Sequence, residues 1–268
     1  MPAIDVSESK ASRMSPSSKA LKDLYLQSSK HASYQLVHPL VAEHLGDTSD
    51  LPAGKLEQER QAYFDRALPL LGARVLDIGA NTGYFSFGAL QSGAQHVTCY
   101  EGNREHAAFV AHCAEMAGLS DRLTMNACYF DFTPLADQTF DVTYCLNVLH
   151  HLGDDFGDDS LSIDAARAQM LRCLNDMAGM TRTLVLQLGF NWKGDVRHPL
   201  FDGGEKAALI DFVAQGSADK WVIEEVTVAN PVSKAYEPIS EDNLPRNNQV
   251  GEFMNRPLFK LRSRVLTG

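Results

Sequence analysis

Two histidines in tandem, His150 and His151 in "LNVLHHLGDD", and two acids, Asp77 and Glu101, are the residues whose types and settings point most directly to chemistry. An imidazole titrates near neutral pH, so either histidine can take a proton from a hydroxyl or ammonium group. Asp77 stands just ahead of the turn Gly79-Ala80-Asn81-Thr82-Gly83, which joins the apolar run "VLDIG" to a helix-like stretch beginning near Tyr84. Glycine lets a backbone approach a ligand without a Cβ clash, and a helix N-terminus beyond it offers free amides. A nicotinamide site would ask for a third glycine, as G-x-G-x-x-G, and an acid beside the turn would repel a pyrophosphate. Glu101 closes the next apolar run, "HVTCYEGN", where an acid can accept hydrogen bonds from both hydroxyls of a ribose.

These constraints ask for a ligand with a ribose, an amino-bearing or positive part and no phosphate. S-adenosylmethionine meets all three. The elements that must position the acids are legible around them. From about residue 72 the chain alternates apolar runs with helical patterns, the signature of a parallel sheet covered on both faces. The strands are "ARVLDIG", "HVTCYEG", "RLTMNAC", "FDVTYCLNV", "TLVLQLGF", "WVIEEVTVA" and "RPLFKLRSR", seven in all. Residues 21–71 carry helix-spaced apolar residues on both sides of "GDTSDLPAG" and read as a helical N-terminal cap or lid. Residues 1–20, rich in Ser, Pro and Lys, read as a disordered leader without a signal-peptide core. The domain that begins at residue 72 and runs to 268 has two long connections, near 190–205 and 229–256, that a plain α/β unit does not need. Such insertions build substrate pockets at the carboxyl ends of strands.

Composition narrows the partners. The chain has 268 residues, 22% charged and 44% hydrophobic, with a formal net charge of −10. No run approaches the about 18 apolar residues of a membrane span. No Lys/Arg stripe is available to neutralise phosphates, which disfavours nucleic acid and favours a small-molecule substrate. Five cysteines without a CxxC pair read as reduced thiols, and the expected location is cytoplasmic.

"VLDIGANTGYFSFGAL", the Glu101 strand end, "FDVTYCLNVLHHL" and the strand sequence resemble the class I S-adenosylmethionine-dependent methyltransferases. The resemblance covers residues 72–190 most closely. It implies a Rossmann-like α/β fold: a seven-stranded, mostly parallel sheet whose last strand inserts antiparallel. It places Asp77, Gly79, Asn81, Gly83 and Tyr84 around the methionine part and Glu101 with Gly102 at the ribose. Tyr129, Phe130 or Asp131 would lie beside the adenine, and Asn147 near the methyl donor. Asn81 departs from the glycine commoner at its position. In the family the second histidine of such a pair recurs among enzymes with dissimilar substrates, which favours His150 as base or substrate ligand, with His151 as the second candidate and a structural role for both as the bland alternative.

Polar groups with an aromatic in "GFNWKGDVRHPLF" and "GEFMNRPLF" make Asn191, Trp192 and Arg256 candidate substrate contacts, as is Tyr34 in "SSKHASYQ". The run "GDDFGDDSLSID" holds hard oxygen ligands, yet the fifth strand ends without an acid, so it reads as a solvated loop and helix cap and no metal is expected. "SSKHASYQ", "NVLHHLGDD", "LGFNWKGD" and "GEFMNRPLF" together look like a subgroup of small bacterial methyltransferases of glycan and secondary-metabolite pathways. The expected activity is methyl transfer from S-adenosylmethionine to a small molecule, at oxygen first and nitrogen second. The alternative is a catalytically silent protein that binds the cofactor or a partner.

Overall fold

A computed structural model describes residues 17–26, 35–49, 51, 54–135 and 138–266. Most of the expected leader, and Tyr34 with Lys30 and His31, lie outside the described residues. The helices before the sheet are α1 (Ser18–Leu26), α2 (Pro39–Ala42) and α3 (Glu57–Ala67). Then follow β1 (Arg74–Ile78), α4 (Tyr84–Gln91), β2 (His96–Tyr100), α5 (Arg104–Met116), β3 (Leu123–Asn126), β4 (Phe140–Leu146), α6 (Ile163–Asp176) and β5 (Thr181–Gln187). The chain ends with α7 (Lys206–Ser217), β6 (Trp221–Ala229), β7 (Tyr236–Pro238), α8 (Glu252–Asn255) and β8 (Leu258–Ser263).

The sheet has eight strands in the order β3-β2-β1-β4-β5-β8-β6-β7. β1 pairs in parallel with β2 and β4, and β8 lies antiparallel between β5 and β6, as the resemblance implied. The strand beyond the expected seven is β7, three residues antiparallel to β6. It ends in Pro238, which lacks an amide proton and is tolerated because β7 is the sheet edge.

Strand alternation explains why both faces are covered. Val75 and Val185 point into one apolar cluster, while Leu76, Ile78, Leu184 and Leu186 point into the other. The first cluster takes side chains from α1, α3, α4 and α5, and the second from α6 and α7. α4, "YFSFGALQ", is apolar around its circumference and accordingly buried on nearly every side. The N-terminal helices share the first core: Phe64 of α3 stacks on Tyr144 at 5.0 Å, and Tyr25 of α1 meets Phe109 at 5.5 Å. Gln35 is buried, and its side-chain oxygen accepts from Thr82 Oγ1 at 2.9 Å and from the Tyr84 amide at 3.2 Å. The cap is thereby fastened to the glycine turn.

The connection between β7 and α8 is pinned to α7. Buried Lys206 donates to the carbonyls of Asn243 and Pro245 at 2.7 and 2.9 Å, and Arg246 donates to the Gly204 carbonyl at 2.8 Å.

Candidate functional site

In the strand order the chain leaves β1 toward β2 and β3, then returns to β4 on the other side. The crevice at that reversal, outside the carboxyl ends of the strands, is where open α/β sheets bind ligands. A cavity of about 880 Å³ opens there. Its wall includes Gly79, Asn81, Glu101, Gly102, Tyr129, Phe130, Asn147, His150, His151 and Arg256.

The glycine turn is held by its neighbours. The amides of Gly79 and Ala80 both donate to the Tyr100 carbonyl, at 2.9 and 3.0 Å. Gly79 has φ +72°, and a Cβ there would stand 2.7 Å from Val148 Cγ2. Only glycine satisfies both the conformation and the space. Asn81 takes φ +52°, one of few non-glycine residues in this region, and caps the turn by accepting the Thr82 amide at 2.8 Å. Asparagine tolerates the left-handed region because its side chain bonds locally.

Glu101 is partly buried and fixed from two sides. Its Oε2 accepts the Asn81 amide at 2.7 Å and its Oε1 the Asn103 amide at 2.8 Å. Gly102 lies under the Tyr129 ring, where a Cβ would come within 2.1 Å of Cε1. Tyr129 is 53% exposed and Phe130 is buried, so one ring forms the outer wall and the other the inner.

Beyond the turn, Asn147 at φ +62° donates from Nδ2 to Gln187 Oε1 at 3.0 Å and accepts at Oδ1 from Arg256 Nη1 at 2.9 Å. Arg256 also donates to Glu252 at 2.7 Å, and Glu252 accepts from Asn191 Nδ2 at 2.6 Å. His150 is 1% exposed, and its Nδ1 accepts the Gly189 amide at 3.2 Å. That hydrogen bond assigns the proton of the neutral ring to Nε2. His151 Nδ1 lies 3.6 Å from Asp155 Oδ2 and 3.8 Å from Asp154 Oδ2. Among the described residues these three also bring one potential ligand atom each within 4.8 Å of one another.

Six expected site residues sit elsewhere. Asp77 is not on the cavity wall. Its Oδ2 accepts the Ser86 hydroxyl at 2.6 Å, tying β1 to the first turn of α4. Burial, with Glu101's charge adding and Ser86 opposing, pushes its carboxyl up to about 7. Gly83 faces Val110, and the Tyr84 ring is buried against His38 at 5.0 Å. Asp131 is exposed and accepts the Thr133 amide at 2.9 Å, so of the three candidates near the third strand only Tyr129 and Phe130 line the cavity. Trp192 is buried, with its indole N–H donated to the Leu152 carbonyl at 2.6 Å. Asn191 lines a smaller side pocket rather than the main cavity. The acidic run divides as expected on its far side: Asp158 accepts the Ser160 amide and Ser162 caps α6, whereas Asp154 and Asp155 approach His151.

Sequence reasoning missed Lys55, Phe253 and Arg60. Lys55 and Phe253 line the cavity, and Arg60 lies behind it. For Arg60 a signal existed: Glu57, Arg60, Gln61 and Phe64 recur at helical spacing, and all four are buried.

Residues 75–175 match a family model described as a methyltransferase domain. Over that stretch the chain carries a methyltransferase domain. The match spans β1 to α6, and so includes every part of the cavity built on the first four strands. No curated protein matches.

Solved structures share the methyltransferase fold at low identity. SMU.776, assigned as a methyltransferase and solved with S-adenosylhomocysteine, is 13% identical with a TM-score of 0.50, over 79% of this chain and 52% of that one. The bifunctional kinase-methyltransferase WbdD is 16% identical with a TM-score of 0.50, over 90% of this chain and 46% of that one. A Pyrococcus horikoshii protein assigned as an RNA methyltransferase is 14% identical with a TM-score of 0.48, over 91% of this chain and 98% of that one. At such identities the likeness is one of fold.

The cavity has features suited to the cofactor of this class: an acid fixed by two loop amides, an aromatic wall beside it, and a turn whose first glycine leaves no room for a Cβ.

Proposed function

We propose that this methyltransferase moves a methyl group to a small-molecule acceptor in the cytoplasm, at oxygen first and nitrogen second, with His151 as the general base. S-adenosylmethionine, when bound, supplies an electrophilic methyl on a sulfonium. The remaining work belongs to the chain's residues. Glu101 would hold the ribose hydroxyls with Gly102 beside it, Tyr129 and Phe130 the adenine, and Gly79, Asn81 and Asn147 the methionine part.

The observation that carries the choice of base is the difference between the two rings. His150 spends Nδ1 on the Gly189 amide, so its neutral form is a donor at Nε2 and not an acceptor there. His151 has carboxylates 3.6 and 3.8 Å from Nδ1, which favour a proton on that nitrogen and stabilise the imidazolium formed when Nε2 takes one from the acceptor. A base of this kind contributes roughly 10²–10⁴-fold, on top of the gain from holding donor and acceptor in line. His150 then serves as packed wall.

A small acceptor is supported by the cavity volume of about 880 Å³, within the range of small-molecule pockets, and by the chain's net charge of −10, which opposes a polyanion. The test is release of S-adenosylhomocysteine over a panel of phenols, sugars, hydroxy acids and amines, with RNA included. Turnover of a small hydroxylated acceptor that His151→Ala abolishes supports the proposal. Turnover of RNA alone, or His151→Ala at wild-type rate on the true acceptor, contradicts it.

A further inference from the structure

One side chain of the N-terminal helices reaches the ends of the central strands. Arg60 is 2% exposed, and its guanidinium lies between the rings of Phe85 and Phe253, 4.7 and 4.9 Å from their centroids. It donates to the Glu57 carboxylate at 3.2 Å, to the Lys55 carbonyl at 3.1 Å and to Gln187 Oε1 at 3.2 Å. The Gln187 oxygen also accepts from Asn147 Nδ2, and Asn147 Oδ1 accepts from Arg256.

A guanidinium can only donate. With Arg60 at one end of this series and Arg256 at the other, the two amides between them are allowed one orientation. Gln187 must turn its oxygen to Arg60, and Asn147 must turn its NH2 toward Gln187. Gln187 is fully buried at the end of β5, so no water competes for the assignment. Of the two amides only Asn147 lines the cavity, and its backbone sits in the left-handed region that side-chain-bearing residues seldom adopt. The Arg60 charge is already met by Glu57, so the bond to Gln187 exceeds what pairing requires. A buried ion pair gives little net stability against an apolar replacement, which leaves specificity of arrangement as its contribution.

We propose that Arg60 is a positioning residue for the methyl donor: through Gln187, and together with Arg256 at the other end, it holds the Asn147 amide in place, so cofactor affinity depends on a side chain that does not touch the cavity. This rests on the reading that Asn147 faces the methionine part of the cofactor. It also makes helix α3, which precedes the matched domain, part of the cofactor site, since the Arg60 side chain holds the Lys55 carbonyl while Lys55 lines the cavity.

The test is calorimetric titration of the full chain with S-adenosylhomocysteine for wild type, Arg60→Gln, Gln187→Met, Asn147→Ala and the two doubles that combine Asn147→Ala with each of the others. Gln187→Met removes the relay while leaving Arg60, Glu57 and both rings in place, so it carries the test if Arg60→Gln does not fold. Each single variant is expected to bind about tenfold more weakly, the loss of a hydrogen bond's worth of orientation. In the Asn147→Ala background neither substitution should weaken binding further. A Gln187→Met protein with wild-type affinity, or losses that add in full to that of Asn147→Ala, would overturn the proposal and make Arg60 structural. Wild-type affinity in Asn147→Ala would overturn it through its premise. Failure of the wild-type chain to bind would instead remove the cofactor reading, a separate result.

Discussion

Replacing Glu101 by alanine removes an acceptor held by two loop amides, Asn81 N at 2.7 Å and Asn103 N at 2.8 Å. If the carboxylate meets the two ribose hydroxyls, the substitution loses charge-assisted hydrogen bonds worth about 1.5–3 kcal/mol, or about 10- to 150-fold in affinity. The two amides would turn to water, since Glu101 is only partly buried, so the fold should survive. Loop disorder could also weaken binding, and a second ligand separates the two causes. Wild type should discriminate S-adenosylhomocysteine from its 2′-deoxy analogue, and Glu101→Ala should lose that discrimination while a loop effect would preserve it. Calorimetry with both ligands on both proteins gives the coupling. Unchanged affinity in Glu101→Ala, or full discrimination retained by it, would refute the assignment of Glu101 to the ribose.

Asp77 supplies a pH test. Its carboxyl is raised from the ordinary 3.8 to about 7 in the folded chain, so between those values the folded state binds a proton that the unfolded state has released. Stability is therefore highest below pH 4 for this group and falls as pH rises toward 7, by about 1.4 kcal/mol per unit at most. Asp77→Asn, which keeps an oxygen for Ser86, should flatten that fall and melt higher than wild type at pH 8. A variant with the same pH dependence as wild type would contradict the burial argument. His151→Ala should lower kcat by about 10²–10⁴-fold with S-adenosylhomocysteine affinity nearly unchanged, whereas His150→Ala should act mainly on stability; a reversed pattern in turnover assays would return the base to His150. Gly189→Ala would place a Cβ 2.7 Å from His150 Nε2 and should cost about 1–3 kcal/mol in urea unfolding, with part recovered in the His150→Ala background. Full stability of the single variant would show that His150 is not packed as described.

The sheet was legible because its signals are local. Each strand from "VLDIG" to "LFKLRS" is an apolar run bounded by turn residues, and the place of Glu101 follows from the end of β2 alone. β7 was not, because three residues ending in proline carry no strand pattern and pair only through β6. The cavity side of the site was readable where a residue ends a strand, as with Gly79, Glu101 and Asn147. It was not readable where side-chain direction decides: Asp77 and Glu101 both border the cofactor loops in sequence, but Asp77 turns to Ser86 beneath α4. Trp192 read as a recognition aromatic because its loop is polar, while its indole N–H is spent on a backbone carbonyl. Arg60 was hidden by the polar character of α3, whose buried face is itself polar: Glu57, Arg60 and Gln61 lie on it beside Phe64. A helix with a charged pair on its packing face has a weak apolar stripe, and it reads as a cap or lid without showing which polar residues it buries. The helical spacing of these four residues hints at a buried face, and the contact with Gln187, 127 residues away, shows where Arg60 lies on it.

The most direct measurement of the central claim is calorimetric titration of the purified full chain with S-adenosylmethionine and S-adenosylhomocysteine, with NAD as the control. Micromolar binding of the first two and none of the third is the expected result. Binding of NAD, or of none of the three, would contradict the account, because the turn at Gly79 and the acid at Glu101 would then be architecture without a ligand.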